Sequence, residues 1–576
     1  MKYLSSDSYL STEIVFLCEI DYLGRTYRFS SYPLSLMDNG SEIPFLGKMN
    51  DPGFEVSIDT IGGIKRQSSS VSLSLFFPHN VAQREMEGKT IERASARLFY
   101  VLSKNRVIQQ NYAQKVYLFE GVITDPIYGH PEMDVGYVEF SIENQIVISD
   151  ESLVRRVVGE GVFLESAAFS DVGAPRPFSF LPPLDPDNTI DVIEPHEGKV
   201  TPVVIGSPGS AKRINGSVIN YGATPAYLLA YENSGTLPAW YVIAGHSVQA
   251  ETVKFYDNKG NSEDNVTVRE YITSRGQVYS FVILETGTTI DRTFVVNNDL
   301  EYWIEWNDGG GLVSPDSGRA LSGAGDIIIW CLNLLNVEYD RQAFRALRSI
   351  LNEYKFDGYI NNEETKIFSF LQDNIVKYLP ISIVSGAKGL TPIYDNLSDS
   401  MLAPARIQVQ EGPQFLRISP LNPETGQEII NDLTVRFAPR NNDNYTNTVR
   451  ISYRRKEANA ASYEMVSPYS VISKQRYGVR EQSISLDYVS DRETAIRIAQ
   501  NIIRGYSLPK KRIRYRADFS FGYLDLGDVI ELTDTELGLS SHRCSIGAKR
   551  YDGASWLYDI IITTDPILNR RFYGSS

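Results

Sequence analysis

Cysteine, histidine and long apolar runs are scarce in this 576-residue sequence, and each shortage removes a class of function. The three cysteines, Cys18, Cys331 and Cys544, stand hundreds of residues apart, which excludes a disulfide framework and a CxxC metal pair. They read as small buried hydrophobes in a reducing compartment. The five histidines are His79, His130, His196, His246 and His542, and no two share the helical spacing of a zinc site. The one His-Glu pair, His196-Glu197, falls in a proline-rich stretch without a second histidine. No run approaches the roughly 18 apolar residues that a membrane span needs, and MKYLSSDSYLS is too polar for a signal peptide. The expectation is synthesis and folding in a cytoplasm. Net positive charge is missing too: 56 Lys and Arg stand against 71 Asp and Glu, for a formal charge of -15. Nucleic-acid binding over the whole surface is thereby disfavoured, because it rests on neutralising phosphates, although a local basic stripe is compatible with this balance.

The sequence is rich in turns and aromatics, with 35 Tyr and 25 Phe beside 42 Gly and 27 Pro, a mixture that favours strands. The expected fold class is mainly β and multidomain, with β-barrel or sandwich domains flanking one small α+β module. Residues 1–150 alternate like paired strands, VSLSLFF at Val71–Phe77 being close to strict period two, and read as an N-terminal β-barrel. Residues 151–209, with Pro182, Pro183, Pro186 and Pro195, read as an extended connection. A β-rich domain is expected over 210–323. The α+β module follows over 324–400, where Ile327, Ile328, Cys331, Leu334 and Leu335, then Phe344, Leu347, Ile350, Leu351 and Tyr354, then Ile367, Phe370, Leu371, Ile375 and Tyr378 recur at helical spacing around a short strand, FDGYIN. Residues 401–489 return to β, and 490–576 form a helix followed by a C-terminal β-barrel segment.

The stretch from Ser490 to Asp534 is the most ordered by pattern. Ser490 and Glu493 match a capping box, predicting a helix from about Asp491 with Ala495, Ile498, Ala499, Ile502 and Tyr506 on its packed face and Gly505 as its stop. Ile513, Tyr515, Ala517, Phe519 and Phe521 then alternate with Arg512, Arg514, Arg516 and Asp518, the signature of a half-buried strand. Gly527 and Asp528 supply a turn into Val529 and Ile530. Helix and strands are expected to pack together as one unit. The arginine row is a candidate interface or lumen surface, by default a solvated edge, otherwise a partner of acidic neighbours or of DNA.

The search for chemistry returns no catalytic, cofactor or metal site. Gly206–Lys212 lacks the spacing of a phosphate loop, and Tyr256–Asn261 lacks the ligand pattern of a calcium loop. His542 and Cys544 lack a third orienting group. Carboxylate pairs such as Glu301 with Glu305, or Glu363 with Glu364, keep a wall- or glycan-degrading enzyme open as an alternative, though a solvated face is the simpler reading. Trp303 and Trp306 keep open a glycan-binding receptor module, with core packing as the competing explanation.

Organisation carries more than chemistry. ETAIRIAQNIIRGY followed by RIRYRADFSFGYLDLGDVIELTD resembles the terminal region of long-tailed, siphophage-type bacteriophage baseplate hub and tail-tip proteins, in which a helix precedes a strand and a Leu-x-x-Gly-Asp-Val-Ile turn, here Leu524, Gly527, Asp528, Val529 and Ile530. DIIIWCLNLLNVEYDRQAFRALRSIL with YKFDGYINNEETKIFSFLQDNIVKYLPISI is similar to the helical segment of that family, and TPVVIGSPG, TPAYLLAY and IAGHSVQAETV match its style. The resemblance implies a non-enzymatic homotrimer in the virion tail tip, made in the bacterial host cytoplasm. It further implies contacts with a distal tail or tail-tube protein, a tape-measure protein, tail fibres or receptor-binding proteins and the host surface, with DNA only in transit. No cofactor is implied.

Overall fold

The computed structural model describes residues 12–50, 54–57, 63–64, 71–76, 88, 90–104, 107–108, 111–129, 137–143, 191–192, 201–209, 211–214, 217–220, 223–231, 239–259, 261–272, 278–284, 302–306, 310–313, 318, 320–362, 365–386, 389–394, 405–409, 415–417, 436–437, 448–454, 463–466, 469–479, 481–506, 511–518, 521–551 and 555–562. Most of the proline-rich connection expected over 151–209 lies outside them.

The fold is mainly β, with several sheets and few helices. The first sheet uses β1 (Thr12–Tyr22), β2 (Arg25–Ser30), β3 (Leu34–Asp38), β4 (Ser41–Gly47), β6 (Val71–Phe76), β7 (Ser95–Lys104), β8 (Val116–Gly129) and β9 (Tyr137–Glu143), while β5 (Phe54–Ser57) leaves for another sheet. Its strand order is β3-β4-β2-β1-β7-β8-β9-β6. The β1 run IVFLCEI is nearly continuous in apolar residues because both of its faces are covered. Phe16, Cys18 and Ile20 enter the largest hydrophobic cluster, whereas Val15 and Leu17 join Leu36, Phe45, Phe99 and Val101 on the other side. Glu19 interrupts that second face and is 2% exposed. Its carboxylate accepts hydrogen bonds from Tyr112 Oη (2.5 Å), Lys115 Nζ (3.3 Å) and Arg28 Nε (3.4 Å), the pairing that a buried charge requires.

A short strand, β10 (Val203–Ile205), is followed by a closed six-stranded antiparallel barrel. Its strands are β11 (Thr224–Tyr231), β12 (Ala239–Ala244), β13 (Thr252–Asp257), β14 (Ser262–Ile272), β15 (Val278–Leu284) and β16 (Tyr302–Trp306), in the order β11-β12-β15-β14-β13-β16, with β16 pairing back onto β11. Closure leaves neither β11 nor β16 as a free edge. Tyr241, Phe255 and Tyr302 fill the barrel with ring centroids 4.7 to 5.6 Å apart. Trp306 points into the same core at 5% exposure and its Nε1 donates to Thr224 Oγ1 at 2.8 Å. Core packing therefore accounts for Trp306, and the sugar-stacking reading of this residue is overturned by its burial. Trp303, half-buried, packs on Ala223 and Tyr256.

The α+β module contains α1 (Ala324–Leu334), α2 (Arg341–Leu351), β17 (Gly358–Ile360), α3 (Ile367–Phe370), and the hairpin β18 (Ile381–Gly386) with β19 (Gly389–Tyr394). Asp340 caps α2, its Oδ1 accepting from the amides of Gln342 and Ala343 at 3.0 Å. Asp326 in the first turn of α1 pairs with Arg348 of α2 at 2.5 Å, so charge as well as apolar contact fixes how the two helices meet. The helical turns continue beyond α3 through 371–375, which are wound as a π-helix, and 376–378.

In the last part, β20 (Ala405–Gln408), β21 (Phe415–Arg417), β22 (Lys511–Ala517), β23 (Val529–Asp534), β24 (Leu539–Tyr551) and β25 (Trp556–Ile562) form a second large sheet in the order β20-β23-β24-β25-β22-β21, to which β5 adds beside β24. Its inner face and that of the first sheet share one hydrophobic cluster. Phe16 meets Tyr551 at 4.9 Å and Tyr100 meets Trp556 at 5.7 Å, so the first and last described strands build one core.

The helix α4 (Arg492–Tyr506) differs from its sequence reading in three respects. Its cap is Asp491, whose Oδ2 accepts from the Thr494 amide at 2.8 Å, while Ser490 reaches elsewhere. Gly505 lies inside the helix rather than ending it. Finally, Ala495, Ile498, Ala499 and Ile503 belong to the module's cluster, whereas Tyr515, Ile530 and Leu532 belong to the two-sheet core. The helix and the basic strand thus serve different cores.

Candidate functional site

Two places combine buried polar groups with demanding backbone geometry. The first is a joint between barrel and module. Alternation along β10 sends Val203 and Ile205 into the module's cluster and Val204 into the barrel's. Its backbone is consumed on both sides: β10 pairs with β17, Leu312 N–H donates to Val204 O at 2.7 Å, and Gly206 N–H donates to Leu321 O at 2.8 Å. Gly206 has φ +61° and Gly311 φ +74°, and a Cβ on either would overlap neighbouring backbone, so glycine is required at both. Gly206 and Ser207 bend the chain out of β10, and Ala211 and Lys212 already lie in the strand Ala211–Ile214, so the segment forms no phosphate loop.

Asp357 holds this joint. It is 5% exposed, and its carboxylate accepts from Ser207 N–H (3.0 Å) through Oδ1 and from Ser490 Oγ (2.6 Å) through Oδ2. Its own amide donates to Tyr488 O at 2.7 Å. One side chain therefore ties β10, the module and the entry to α4. On the barrel side, His246 Nε2 accepts from Val204 N–H at 2.8 Å, which leaves Nδ1 to carry the proton and donate to Ser247 O at 2.8 Å. Burial pushes this imidazole down to about 4, and the bond to Ser247 O opposes that shift.

The second place is the C-terminal sheet. Strand β22 puts Ile513, Tyr515 and Ala517 in the core, so Arg512, Arg514 and Arg516 take the opposite phase. Arg514 makes a two-pronged pair with Asp559, Nε–Oδ1 at 2.6 Å and Nη2–Oδ2 at 3.0 Å, which covers a carboxylate that is only 7% exposed. Arg516 is exposed, and the side chain of Arg512 lies outside the described atoms.

Gly527 and Asp528 form the turn into β23. Gly527 has φ +76°, a Cβ there would overlap the Ile393 side chain, and its amide donates to Ile546 O at 2.8 Å. Asp528 Oδ2 accepts from the Asp525 amide at 2.7 Å, closing the turn. Asp528 remains open to water along part of its surface, yet partial burial raises its carboxyl to about 6; the bond from the Asp525 amide and the Lys549 charge oppose this, and the Asp525 charge reinforces it. Beneath the turn, Lys549 is 3% exposed, donates to Gly522 O at 2.8 Å and stands over the Trp556 ring at 4.8 Å. Burial lowers its pKa, and Asp525 and Asp528 pull it back up.

Asp357, His246 and Lys549 were not singled out from the sequence. Their sequence signal is faint, since each stands beside other polar residues, in YKFDGYINN, IAGHSVQ and IGAKRYDG. The pattern at His542 and Cys544 resolves into structure, with the Cys544 thiol pushed up to about 12 by burial and directed at His542 O (3.4 Å). Glu305 accepts from Tyr256 Oη at 2.6 Å, whereas Glu301, Glu363 and Glu364 lie outside the described residues. Among the described residues, no group of three or more His, Cys, Asp or Glu could hold a metal. No described helix is long and apolar enough to cross a membrane.

No curated protein matches the sequence. Among solved structures, a 43 kDa tail protein of prophage MuSo2 from Shewanella oneidensis aligns over 96% of this chain and 98% of its own at 8% identity and a TM-score of 0.35. A tail protein from Neisseria meningitidis MC58 aligns over 95% and 96% at 9% identity, also with a TM-score of 0.35. Prophage tail protein gp18 from Listeria monocytogenes EGD-e aligns over 95% and 94% at 8% identity and 0.28. Scores this far below 0.5 carry no statement about function. The sequence itself gives the firmer likeness: residues 423–548, which include α4, β22, β23 and most of β24, match a family described as "putative phage tail protein", and this supports a phage tail protein.

Proposed function

We propose that the chain is the baseplate hub of a siphophage-type tail, a homotrimeric ring that closes the end of the tail tube. In this role it meets the distal tail or tube protein, anchors the tape-measure and fibre or receptor-binding proteins, approaches the host surface, and opens to let DNA through. Its contribution is structural rather than catalytic.

The observation that carries the reading is the family match over 423–548, because that segment contains the Leu524–Ile530 turn and helix on which the resemblance to hub proteins rests. The architecture is compatible with ring building. A closed barrel exposes few strand edges, the joint at Asp357 fixes barrel to module, and the first and last described strands share a core, so each subunit can pass load between its parts. Sedimentation of the purified chain tests it. A mass of three chains is expected at micromolar concentration, and a persistent monomer, also in the presence of tail-tube protein, would overturn it.

A further inference from the structure

We propose that the turn formed by Asn39 and Gly40, at the tip of the β3–β4 hairpin, is a self-modification site at which Asn39 loses its side-chain amide through a cyclic imide and becomes aspartate or isoaspartate. Water is the only co-reactant, and the proposal is independent of the ring reading.

The turn is closed by the pair Asp38 and Ser41. Asn39 has φ +48° and Gly40 φ +85°, the left-handed pair of a type I′ hairpin. Both residues are exposed, and a Cβ built on Gly40 meets nothing within 4 Å, so solvent surrounds the turn. The Asn39 side chain donates from Nδ2 to Asp38 Oδ1 at 3.2 Å. That bond engages the nitrogen that leaves, not the carbon that is attacked.

In the reaction, Gly40 N gives up its proton and attacks Asn39 Cγ. The N–Cγ bond forms, the Cγ–Nδ2 bond breaks, and Nδ2 departs as ammonia with a proton in place of the one that Gly40 lost. Water then opens the imide. Attack at the side-chain carbonyl restores the ordinary backbone and leaves a carboxylate, whereas attack at the main-chain carbonyl of residue 39 routes the chain through Cβ as isoaspartate. No oxidant or reductant is involved.

Backbone and sequence together single out this asparagine. Asn265 at φ +58° and Asn336 at φ +50° are the other described asparagines with left-handed backbone, but each precedes a valine, whose branched Cβ crowds the attacking amide. Gly40 carries no such obstacle. Ring closure requires the turn to open, so that Gly40 N can swing onto Cγ. Opening costs little here, because β3 is a strand of 5 residues at the edge of its sheet, and a hairpin tip opens with far less free energy than a core strand.

The product alters the fold. Leu36 and Phe45 of this hairpin are buried against Val15, Leu17, Phe99 and Val101. Isoaspartate lengthens the backbone of the turn and adds a charge beside Asp38, so the hairpin should slip in register and its cover over that face should loosen.

The test is peptide mapping of the full chain after incubation in mildly alkaline buffer. The tryptic peptide 29–48 contains Asn39 as its one amide side chain, so a gain of the amide-to-acid mass difference in it reports this site. Asn265 and Asn336 in the same digest are the controls. The expected result is conversion at Asn39 roughly tenfold or more faster than at either control, isoaspartate in the product as detected with an isoaspartyl methyltransferase, and a rate about tenfold lower in Gly40→Ala. An Asn39 amide that survives in the folded chain after a urea-unfolded sample has lost it overturns the proposal, because the turn then stays closed. Equal rates at Asn39, Asn265 and Asn336, or a wild-type rate in folded Gly40→Ala, overturn it as well. The wild-type comparison decides by itself if Gly40→Ala does not fold.

Discussion

Replacing Asp357 with Ala removes the one acceptor shared by β10 and the entry to α4. The Ser207 amide and the Ser490 hydroxyl both lose their partner, at 3.0 and 2.6 Å. Hydrogen bonds to a charged acceptor contribute about 1.5–3 kcal/mol each, for a gross loss of roughly 3–6 kcal/mol. Two effects reduce it. The carboxylate's own desolvation cost disappears with it, and both donors belong to half-buried residues that water can reach. A net loss of about 2–3 kcal/mol remains, most of it local to the joint. Amide hydrogen exchange measures this directly: Ser207 should exchange about 30- to 150-fold faster, since each 1.4 kcal/mol is a factor of ten, while amides inside the β11–β16 barrel keep their protection. Asp357→Asn, which retains one acceptor, should lie between. If Ser207 exchange in Asp357→Ala stays within twofold of wild type, the side chain does not hold the joint and the reasoning fails.

Three further outcomes follow from the geometry. Gly527→Ala meets both a left-handed backbone and the Ile393 side chain, so it should cost about 2–3 kcal/mol in urea unfolding, whereas Gly538→Ala, at φ +67° with open space around it, should cost only about 1; equal losses would refute the steric part. His246 is held neutral, with its pKa depressed from the usual 6.5 to about 4. Between those values the unfolded chain binds the extra proton, so this contribution is complete above about pH 6.5 and is lost as pH falls toward 4. His246→Gln keeps an acceptor for Val204 N–H without titrating, and its stability should fall by about 1–3 kcal/mol less over that window. The raised carboxyl of Asp528 acts with the opposite sign, its contribution being lost as pH rises through 6, so comparing the variant with wild type cancels it. Arg514→Ala uncovers the buried Asp559 carboxylate and should lower stability by about 1–2 kcal/mol, discounted from a fully buried pair because Arg514 is 45% exposed; a melting curve identical to wild type would contradict this.

What could be read from the sequence was local. The alternation Ile513, Tyr515, Ala517 against three arginines gives the strand and its two faces, because side chains alternate with period two whatever the partner. Helical spacing likewise marks 324–334, 341–351 and 492–506. Partnership across the chain is not written in spacing. Ser490 looks like a cap because Glu493 follows three residues later, but Asp491 is one residue nearer the helix and takes the amide, freeing Ser490 to reach Asp357, 133 positions away. The same limit hides the shared core of the first and last strands, since nothing near Phe16 specifies Tyr551. Trp306 shows that an aromatic beside charged residues is ambiguous until the barrel closes around it, because alternation gives two faces without saying which one is enclosed.

Imaging of intact virions tests the position and stoichiometry of the chain at the tail tip. A three-fold ring of this chain is expected where the tail tube ends, with the closed barrel and the two-sheet core recognisable in each subunit. Density for this chain elsewhere in the particle, a different symmetry at the tip, or virions that lack the chain would contradict it.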